Sequence, residues 1–344
     1  MTTSAPSAPN KGRVRRQDWD YILRSGLSGG IAGCAAKTAI APLDRVKILF
    51  QAANPEFKNY SGRWLGVVHA ARRIVRQQGF AALYQGHTAT LLRIFPYAAI
   101  KYMTYDMLHA TLMPTSQSET STKLFLAGSL SGVLSVFVTY PLELIRVRLA
   151  FDTKIVHHQG SLRFIISSIF HEGTQQHESR SSGVSELLYR FPLLKFYRGF
   201  FATVLGMIPY AGTSFLVFGQ CKSFMYRTFL YCDSHGAPLR DKRGKNPLFN
   251  VSRSAVDLAS GAIAGAISQT ASYPLEVVRR RQQVSGILSP ERMLSLGDTI
   301  KWIYNTSGIR GFYTGLSIGY IKVVPMTAIS YAVWFGMKRQ LGIL

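Results

Sequence analysis

The chain alternates long apolar stretches with shorter polar connections. Two uncharged stretches, Gly199 to Cys221 and Leu258 to Leu275, approach the roughly 20 residues that a helix needs to cross a bilayer. Other apolar stretches contain isolated charges such as Lys37, Arg93 and Lys322. A charge at mid-membrane costs about 2.5–3.5 kcal/mol unless it faces protein or water. The pattern therefore predicts membrane-spanning helices that surround a polar interior.

One sequence pattern occurs three times along the chain. The motif P-x-[DE]-x-x-[KR] covers Pro42 to Lys47, Pro141 to Arg146 and Pro274 to Arg279. Two glycines precede each motif proline by thirteen and nine residues: Gly29 and Gly33, Gly128 and Gly132, Gly261 and Gly265. An aromatic residue and a glycine follow each motif, ending at Gly86, Gly199 and Gly315. Because small-xxx-small spacing lets membrane helices approach closely, each copy predicts a closely packed two-helix unit.

The repeats divide the chain unequally. The motif proline and the final glycine are 44, 58 and 41 residues apart, so the middle copy contains an insertion, expected as an extended loop around His157 to Phe191. We expect a basic tail at 1–20, repeats at 21–118, 119–231 and 253–344, and a linker at 232–252. A further polar linker is expected near Met113 to Ser121.

The charge balance predicts an anionic partner. The chain has 40 Lys and Arg against 17 Asp and Glu, a net charge of +23, which suits nucleic acid, acidic lipid or an anionic substrate. The charges flank apolar spans instead of covering one soluble face, so we expect no nucleic-acid partner.

Enzyme chemistry has little support in the sequence. The three cysteines and eight histidines show neither zinc-site nor disulfide spacing, and we expect no metal and no cofactor. The string Gly29 to Thr38 approaches a phosphate-binding loop, but Ala36 stands where the pattern requires glycine, and no strand precedes it. We therefore expect a protein that is not an enzyme.

The triple motif with its trailing aromatic and glycine resembles the mitochondrial carrier family. This resemblance covers nearly the whole chain after residue 20. It implies an all-α membrane protein with six transmembrane helices in three tandem repeats of pseudo-threefold symmetry, which alternately opens its centre to either side. It also implies a multi-pass location in the mitochondrial inner membrane. We further expect a monomer and a membrane lipid partner, cardiolipin.

Two gates follow from this resemblance. A proline inside a helix kinks it, so three equivalent kinks would bend three helices toward one axis. The family-like matrix gate would consist of three ion pairs: Asp44 with Arg146, Glu143 with Arg279, and Glu276 with Lys47. Charges that face lipid headgroups are the alternative. The family's cytosolic motif, [FY]-[DE]-x-x-[KR], is incomplete here, which leaves Asp106 with Lys222 as the expected pair of a weaker cytosolic gate.

Positions that break the threefold symmetry predict the substrate site. Arg93, Gly206 and Lys322 lie seven residues after the repeated glycine, and Lys37 lies five residues before its proline. Three cations on three helices favour an anionic ligand. For each cation alone, a structural ion pair or an orientation toward the membrane interface is the alternative.

The resemblance extends to the ligand. The three cations match phosphate-contacting positions of the ADP/ATP carrier, and Gly206 with Met207 matches its adenine contact, where Gly206 would leave room for a flat base and Tyr210 could stack on it. Lys101 is a fourth cation of the site or an interfacial lysine.

The subfamily resemblance is to the coenzyme A carriers of fungi. It is supported by Pro42 to Gln51 and by Pro96 to Asp106, while Gln282 and Gln283 interrupt the arginine and methionine run of ADP/ATP carriers. We therefore expect transport of coenzyme A, in exchange for an adenine nucleotide. The alternatives are ADP, ATP-Mg and 3′-phosphoadenosine phosphosulfate.

Overall fold

The computed structural model describes residues 11–62, 65–114, 120–153, 162–172, 192–230, 253–288 and 295–342. The regular elements of these residues are helices: α1 Lys11–Gln51, α2 Gly66–Gln78, α3 His87–Leu112, α4 Ser121–Phe151, α5 Leu162–His171, α6 Phe200–Met225, α7 Arg253–Leu288, α8 Leu296–Ser307, α9 Leu316–Ile321 and α10 Val323–Gln340. Short 3-10 turns lie at Pro55–Tyr60, Phe80–Tyr84, Pro192–Tyr197 and Ile309–Tyr313, and a π turn lies at Tyr226–Leu230. The predicted linker 232–252 and residues 1–10 of the tail lie outside the described residues.

The helices form the predicted all-α membrane fold, in which each repeat consists of a long helix, a short surface helix and a second long helix. In the third repeat this second helix is divided at Lys322 into α9 and α10. Within the described part of the chain, three segments are long and apolar enough to span a membrane by length and composition: Thr122–Phe151, Pro192–Thr228 and Ile309–Gln340. The spans built from α1, α3 and α7 contain more charges. Those charges are tolerated because many of them face the interior of the helix ring.

The expected extended loop in the middle repeat is partly wrong. Residues Leu162–His171 form α5, which corresponds to the surface helices α2 and α8 of the other repeats. Ile165 and Ile169, one turn apart, are buried on one face of α5, and this amphipathic pattern explains why the segment is helical. Residues 157–161 and 173–191 of the same stretch lie outside the described part of the chain.

The three repeats close into a ring through their neighbours. The second long helix of each repeat packs along the first helix of the next, as α3 with α4, α6 with α7, and α10 with α1. The start of α1 and the end of α10 lie together, where the Arg24 guanidinium donates to the Leu341 carbonyl at 3.2 Å. We call this the terminal end of the ring, and we call the opposite end, which holds the three proline motifs, the motif end.

The repeated glycines Gly86, Gly199 and Gly315 turn the chain into the second helix of each repeat. Their φ angles are 80°, 79° and 83°, in the left-handed region that favours glycine. A Cβ atom at Gly86 would also lie 2.8 Å from the Arg146 carbonyl oxygen of the next repeat. This glycine is therefore required both by the backbone conformation and by the close contact between repeats.

The paired glycines upstream of the motifs behave differently from expectation. Among the described residues, a Cβ atom added at Gly29, Gly33, Gly128, Gly132 or Gly265 would meet no atom within 4 Å. The predicted close helix approach is therefore not seen at these positions in this conformation.

Buried arginines tie adjacent repeats together at the motif end. Arg45, 2% exposed, donates to the carbonyl oxygens of Ala150 at 3.2 Å and Asp152 at 3.0 Å. Arg148, 1% exposed, donates to the Gln283 carbonyl at 3.1 Å and forms a salt bridge with the Glu172 carboxylate. A buried guanidinium needs several acceptors, and these carbonyls of the next repeat supply them.

Candidate functional site

Three carboxylates at the motif end each contact the basic residue expected from the sequence. Arg146 lies 3.2 Å from Asp44, Lys47 lies 2.9 Å from Glu276, and Arg279 contacts Glu143. Each pair joins two different repeats. The alternative of charges facing lipid headgroups does not fit this geometry, because all three carboxylates line an interior cavity.

Cations beyond the predicted pairs also contact these carboxylates. Glu143 forms an ion pair with Arg93 at 2.6 Å and accepts from Arg280 at 3.2 Å, and Asp44 accepts from Lys322 at 3.0 Å. Arg93 and Lys322 were predicted as phosphate ligands, and in this conformation they contact carboxylates of the expected matrix gate. The alternative of a structural ion pair therefore describes both residues here.

Two tyrosine rings lie against cations of these ion pairs. Tyr140 and Tyr273 each precede a motif proline, and their rings lie under Arg279 at 5.9 Å and under Lys47 at 5.2 Å. The Tyr140 hydroxyl donates to the Arg198 carbonyl at 2.7 Å, and the Tyr273 hydroxyl donates to the Thr314 carbonyl at 2.9 Å. The cations are thus held by ring faces as well as by carboxylates.

Two glutamines complete this arrangement. The Gln283 amide donates to the Tyr140 hydroxyl at 3.1 Å, and the Gln51 amide donates to the Tyr273 hydroxyl at 3.0 Å. Sequence reasoning missed these tyrosines, these glutamines and Arg280. A signal was present, since Tyr precedes the motif proline in two repeats and Gln follows it by nine residues in two repeats.

The ion pairs form the floor of a cavity of about 300 Å³, which we call the cation chamber. Among the described residues, seven cations and three carboxylates line it, so positive charge exceeds negative charge by four: Lys37, Lys47, Arg93, Arg146, Arg279, Arg280 and Lys322 against Asp44, Glu143 and Glu276. The three predicted phosphate-binding cations are therefore brought together in one chamber.

Lys37 differs from the other two predicted cations. Its ammonium group donates to the Met326 sulfur at 3.9 Å, and within the described residues no carboxylate lies within ion-pair distance of it. Asp44 lies two turns further along α1 and is shared by Arg146 and Lys322. Lys37 is therefore the predicted ligand cation least engaged by the protein itself.

The remaining predicted substrate residues line a second cavity of about 810 Å³, which we call the apolar chamber. Lys101, Gly206, Met207 and Tyr210 all contribute to its wall. Met207 lines both chambers, so the predicted base site adjoins the predicted phosphate site. Tyr210 is 48% exposed, which leaves its ring accessible to a ligand.

Gly206 lies close to the neighbouring helix α7. A Cβ atom at this position would lie 3.5 Å from the Leu275 Cβ atom, an ordinary van der Waals distance. Gly206 also lines the apolar chamber, where a larger side chain would take up space. Room for a flat base beside Gly206 stays a prediction.

The expected cytosolic pair is not formed in this conformation. Lys222 lies 3.1 Å from Asp257 near the start of α7, a partner that sequence reasoning missed, and within the described residues it makes no ion pair with Asp106. The Tyr226 hydroxyl donates to the same Asp257 carboxylate at 3.2 Å. Contact between Asp106 and Lys222 stays a prediction for a conformation closed at the terminal end.

Comparison with known proteins decides the family. A family model described as "Mitochondrial carrier protein" matches residues 18–116, 117–229 and 251–342 of this chain. This chain belongs to the mitochondrial carrier family. It is therefore a multi-pass protein of the mitochondrial inner membrane, and its family consists of transporters and not of enzymes.

Individual relatives are similar to this chain over nearly its whole length. "Mitochondrial carrier protein LEU5" of Saccharomyces cerevisiae is 44% identical over 340 residues, which covers 95% of this chain and 93% of the relative. "Solute carrier family 25 member 16" of Homo sapiens is 40% identical over 328 residues, with 94% and 90% covered. "Mitochondrial carrier protein CoAc1" of Zea mays is 34% identical over 326 residues, with 92% and 86% covered.

Proposed function

We propose that this mitochondrial carrier transports coenzyme A across the inner membrane by alternating access, in exchange for an adenine nucleotide. The main support is the excess of positive charge in the cation chamber, which adjoins a larger and mostly apolar chamber. Coenzyme A joins a base and three phosphates to a long uncharged arm. The phosphates of such a ligand match the cation chamber, and its uncharged base and arm match the apolar chamber.

The comparisons support the same ligand class. The maize relative has a name that contains the abbreviation CoA, and its similarity to this chain covers both chambers. Symmetry supports it as well, because Arg93 and Lys322 occupy one level of the ring while Gly206 replaces the third cation. An asymmetric ligand, whose phosphates contact the two cations and whose base lies beside Gly206, fits this arrangement.

The proposed mechanism is a competition between anions. A phosphate that enters the cation chamber first meets Lys37 and then competes with Glu143 for Arg93 and with Asp44 for Lys322. Each carboxylate then retains fewer cations. We propose that this weakens the ion pairs between repeats, so that the motif end can separate while the terminal end closes.

This competition follows from Coulomb's law. A pair of unit charges about 4 Å apart contributes at most about 4 kcal/mol near a protein surface, before the cost of removing water is subtracted. Redirecting two such contacts to the ligand therefore changes the balance between closed and open conformations by a few kcal/mol. Such a change is large enough to invert a two-state population.

Uptake by the purified protein in liposomes tests the substrate. Liposomes loaded with ADP are expected to take up labelled coenzyme A, and unlabelled coenzyme A or dephospho-coenzyme A in excess is expected to block this uptake. ADP, ATP with and without magnesium, and 3′-phosphoadenosine phosphosulfate form the comparison panel. Uptake that is blocked by ADP or ATP but is indifferent to coenzyme A would exclude the proposed substrate and leave an adenine nucleotide carrier.

We also propose that cardiolipin binds between the first and third repeats. A cavity of about 690 Å³ there is lined by Lys58, Arg281 and Arg310. Arg281 is 4% exposed, and its guanidinium lies 4.9 Å from the centre of the Trp302 ring. Its Nε and Nη1 atoms have no hydrogen-bond partner among the residues that the structure describes. Its equivalent in the middle repeat, Arg148, pairs with Glu172, whereas Ser307 stands at the corresponding position here.

Stability measurements test this lipid proposal. Added cardiolipin is expected to raise the melting temperature of the delipidated protein more than phosphatidylcholine does. Ser307→Glu, which supplies the carboxylate present in the middle repeat, is expected to reduce that gain. An equal gain in the variant would place the lipid elsewhere.

We propose a monomer as the functional unit. Size-exclusion chromatography with light scattering tests this oligomeric state.

A further inference from the structure

One wall of the apolar chamber is not used by the proposed base site. Besides the residues near Tyr210, it is lined along α4 by Phe125, Ser129 and Gly132. These positions share a helix face with Val136, which lines the cation chamber. We call these three residues the α4 wall. The two chambers are thus successive parts of one interior surface.

We propose that the α4 wall binds the long uncharged arm of the substrate, a flexible chain of methylenes and amides such as pantetheine. This inference rests on the proposed function and deepens it, since it assigns a second subsite to the part of coenzyme A that ADP lacks. The base stays at Met207 and Tyr210, across the chamber from the α4 wall.

Continuity between the chambers supports this assignment. Thr203, Met207, Glu276 and Arg279 line both of them. A ligand whose phosphates lie among Lys37, Arg93 and Lys322 therefore passes from charged to apolar surroundings within one uninterrupted space. A chain attached to those phosphates has a direct route to the α4 wall.

The chamber faces the interior of the ring. Glu276 and Arg279 lie at one limit of it, and Lys101 lies at another. A lipid tail would remove water from these charges without pairing them, which is unfavourable. An arm that contains amides can instead offer hydrogen bonds to Ser129 and Thr203. These charged limits favour the substrate over a lipid tail as the occupant.

The space is sufficient for an arm as well as a base. The chamber volume of about 810 Å³ lies in the upper part of the range of roughly 300–1,000 Å³ that ligand sites occupy. Gly132 and Gly128 contribute to this space, since a Cβ atom at either position would meet no atom of the described residues within 4 Å. The rings of Phe125 and Phe215 close the far side edge to face, with centroids 5.9 Å apart.

Gly132→Leu fills the α4 wall and tests the inference. Because the position is open and Leu favours helix over Gly, folding is expected to be preserved. The matched control is Gly33→Leu, at the equivalent position of the first repeat, which is equally open and lines neither chamber. Gly132→Ala provides a milder change at the same site.

Binding is measured by ligand-induced thermal stabilisation of the purified protein, so that effects on helix closure do not enter. The two ligands are coenzyme A and adenosine 3′,5′-bisphosphate, which has the base and phosphate but no arm. Gly132→Leu is expected to weaken coenzyme A at least tenfold and to leave the bisphosphate unchanged. Gly132→Ala is expected to be intermediate, and Gly33→Leu is expected to match the wild type for both ligands.

Three results would overturn the assignment. Equal weakening of both ligands would show that the α4 wall holds the base. No weakening of either would place the arm elsewhere and leave lipid as the occupant of the chamber. A wild-type protein that binds adenine nucleotides but not coenzyme A would remove the proposed substrate together with its arm site. The first two results leave the proposed function standing.

Discussion

The two ends of the helix ring differ in how deeply their ion pairs are buried. At the motif end, three carboxylates between repeats hold the helices together, and Glu143, 2% exposed, contacts Arg93, Arg279 and Arg280. At the terminal end, Lys222 and Asp257 form an ion pair whose side chains are 29% and 43% exposed. The pairs at both ends join different repeats, but breaking a buried pair is costly, whereas an exposed pair contributes little.

This difference indicates which end of the ring has the larger influence on the balance between open and closed conformations. Removing one partner of a buried pair leaves an uncompensated charge, at a cost of about 3–5 kcal/mol, while a surface pair contributes about 0.2–1 kcal/mol. Arg93 and Lys322, which we propose bind the substrate, contact carboxylates of the motif end. Under this proposal, ligand binding acts on the end of the ring with the more deeply buried ion pairs.

Reversing Glu143 is expected to have the largest effect. Glu143→Arg places a fourth guanidinium among Arg93, Arg279 and Arg280, so we expect uptake in liposomes to fall to the background level. Adding Arg279→Glu is expected to restore part of the rate, because one carboxylate returns to the cluster. Absence of any rescue in a folded double variant would remove the Glu143 and Arg279 pair from the gate.

Replacing a substrate cation is expected to come next. Lys322→Ala or Arg93→Ala should nearly abolish uptake, since losing one partner of a dry charge contact costs several kcal/mol. The protein should still fold, because Asp44 keeps Arg146 and Glu143 keeps Arg279. Lys301→Ala, an exposed lysine of α8, is the control. Wild-type rates in Arg93→Ala would displace the site from the cation chamber.

Removing the proposed stacking ring is expected to have an intermediate effect. Tyr210→Ala should weaken adenine-containing ligands by roughly 1–3 kcal/mol, the scale of stacking between a base and an aromatic ring. Competition titrations in liposomes measure this affinity. Tyr304→Ala, on the exposed surface of α8, should leave it unchanged. An unaltered affinity in Tyr210→Ala would relocate the base.

Changing the terminal end is expected to have the smallest effect. Asp257→Asn frees Lys222 to pair with Asp106, so we expect the uptake rate to change by no more than about fivefold, the scale of an exposed ion pair. The same substitution in an Asp106→Asn background should then have no effect. An equal effect in both backgrounds would mean that the two aspartates do not compete for Lys222.

The sequence alone determined the fold and the three carboxylates that form ion pairs at the motif end. Proline, acid and base recur in fixed register in three repeats, and a repeat constrains a fold because each copy must bury the same surface against its neighbour. The three ion pairs follow from that register. The cations that break the symmetry, Lys37, Arg93 and Lys322, were also found by comparing the chain with itself.

Several features required the tertiary structure. The insertion after Leu162–His171 made this helix difficult to recognise in the sequence. The sharing of Glu143 by Arg93 and Arg280 depends on side chains from three helices. Asp257 was missed because it lies outside every repeat motif, yet it holds Lys222. A motif specifies which residue types recur, but which of two nearby partners a side chain contacts depends on how the helices pack in the ring.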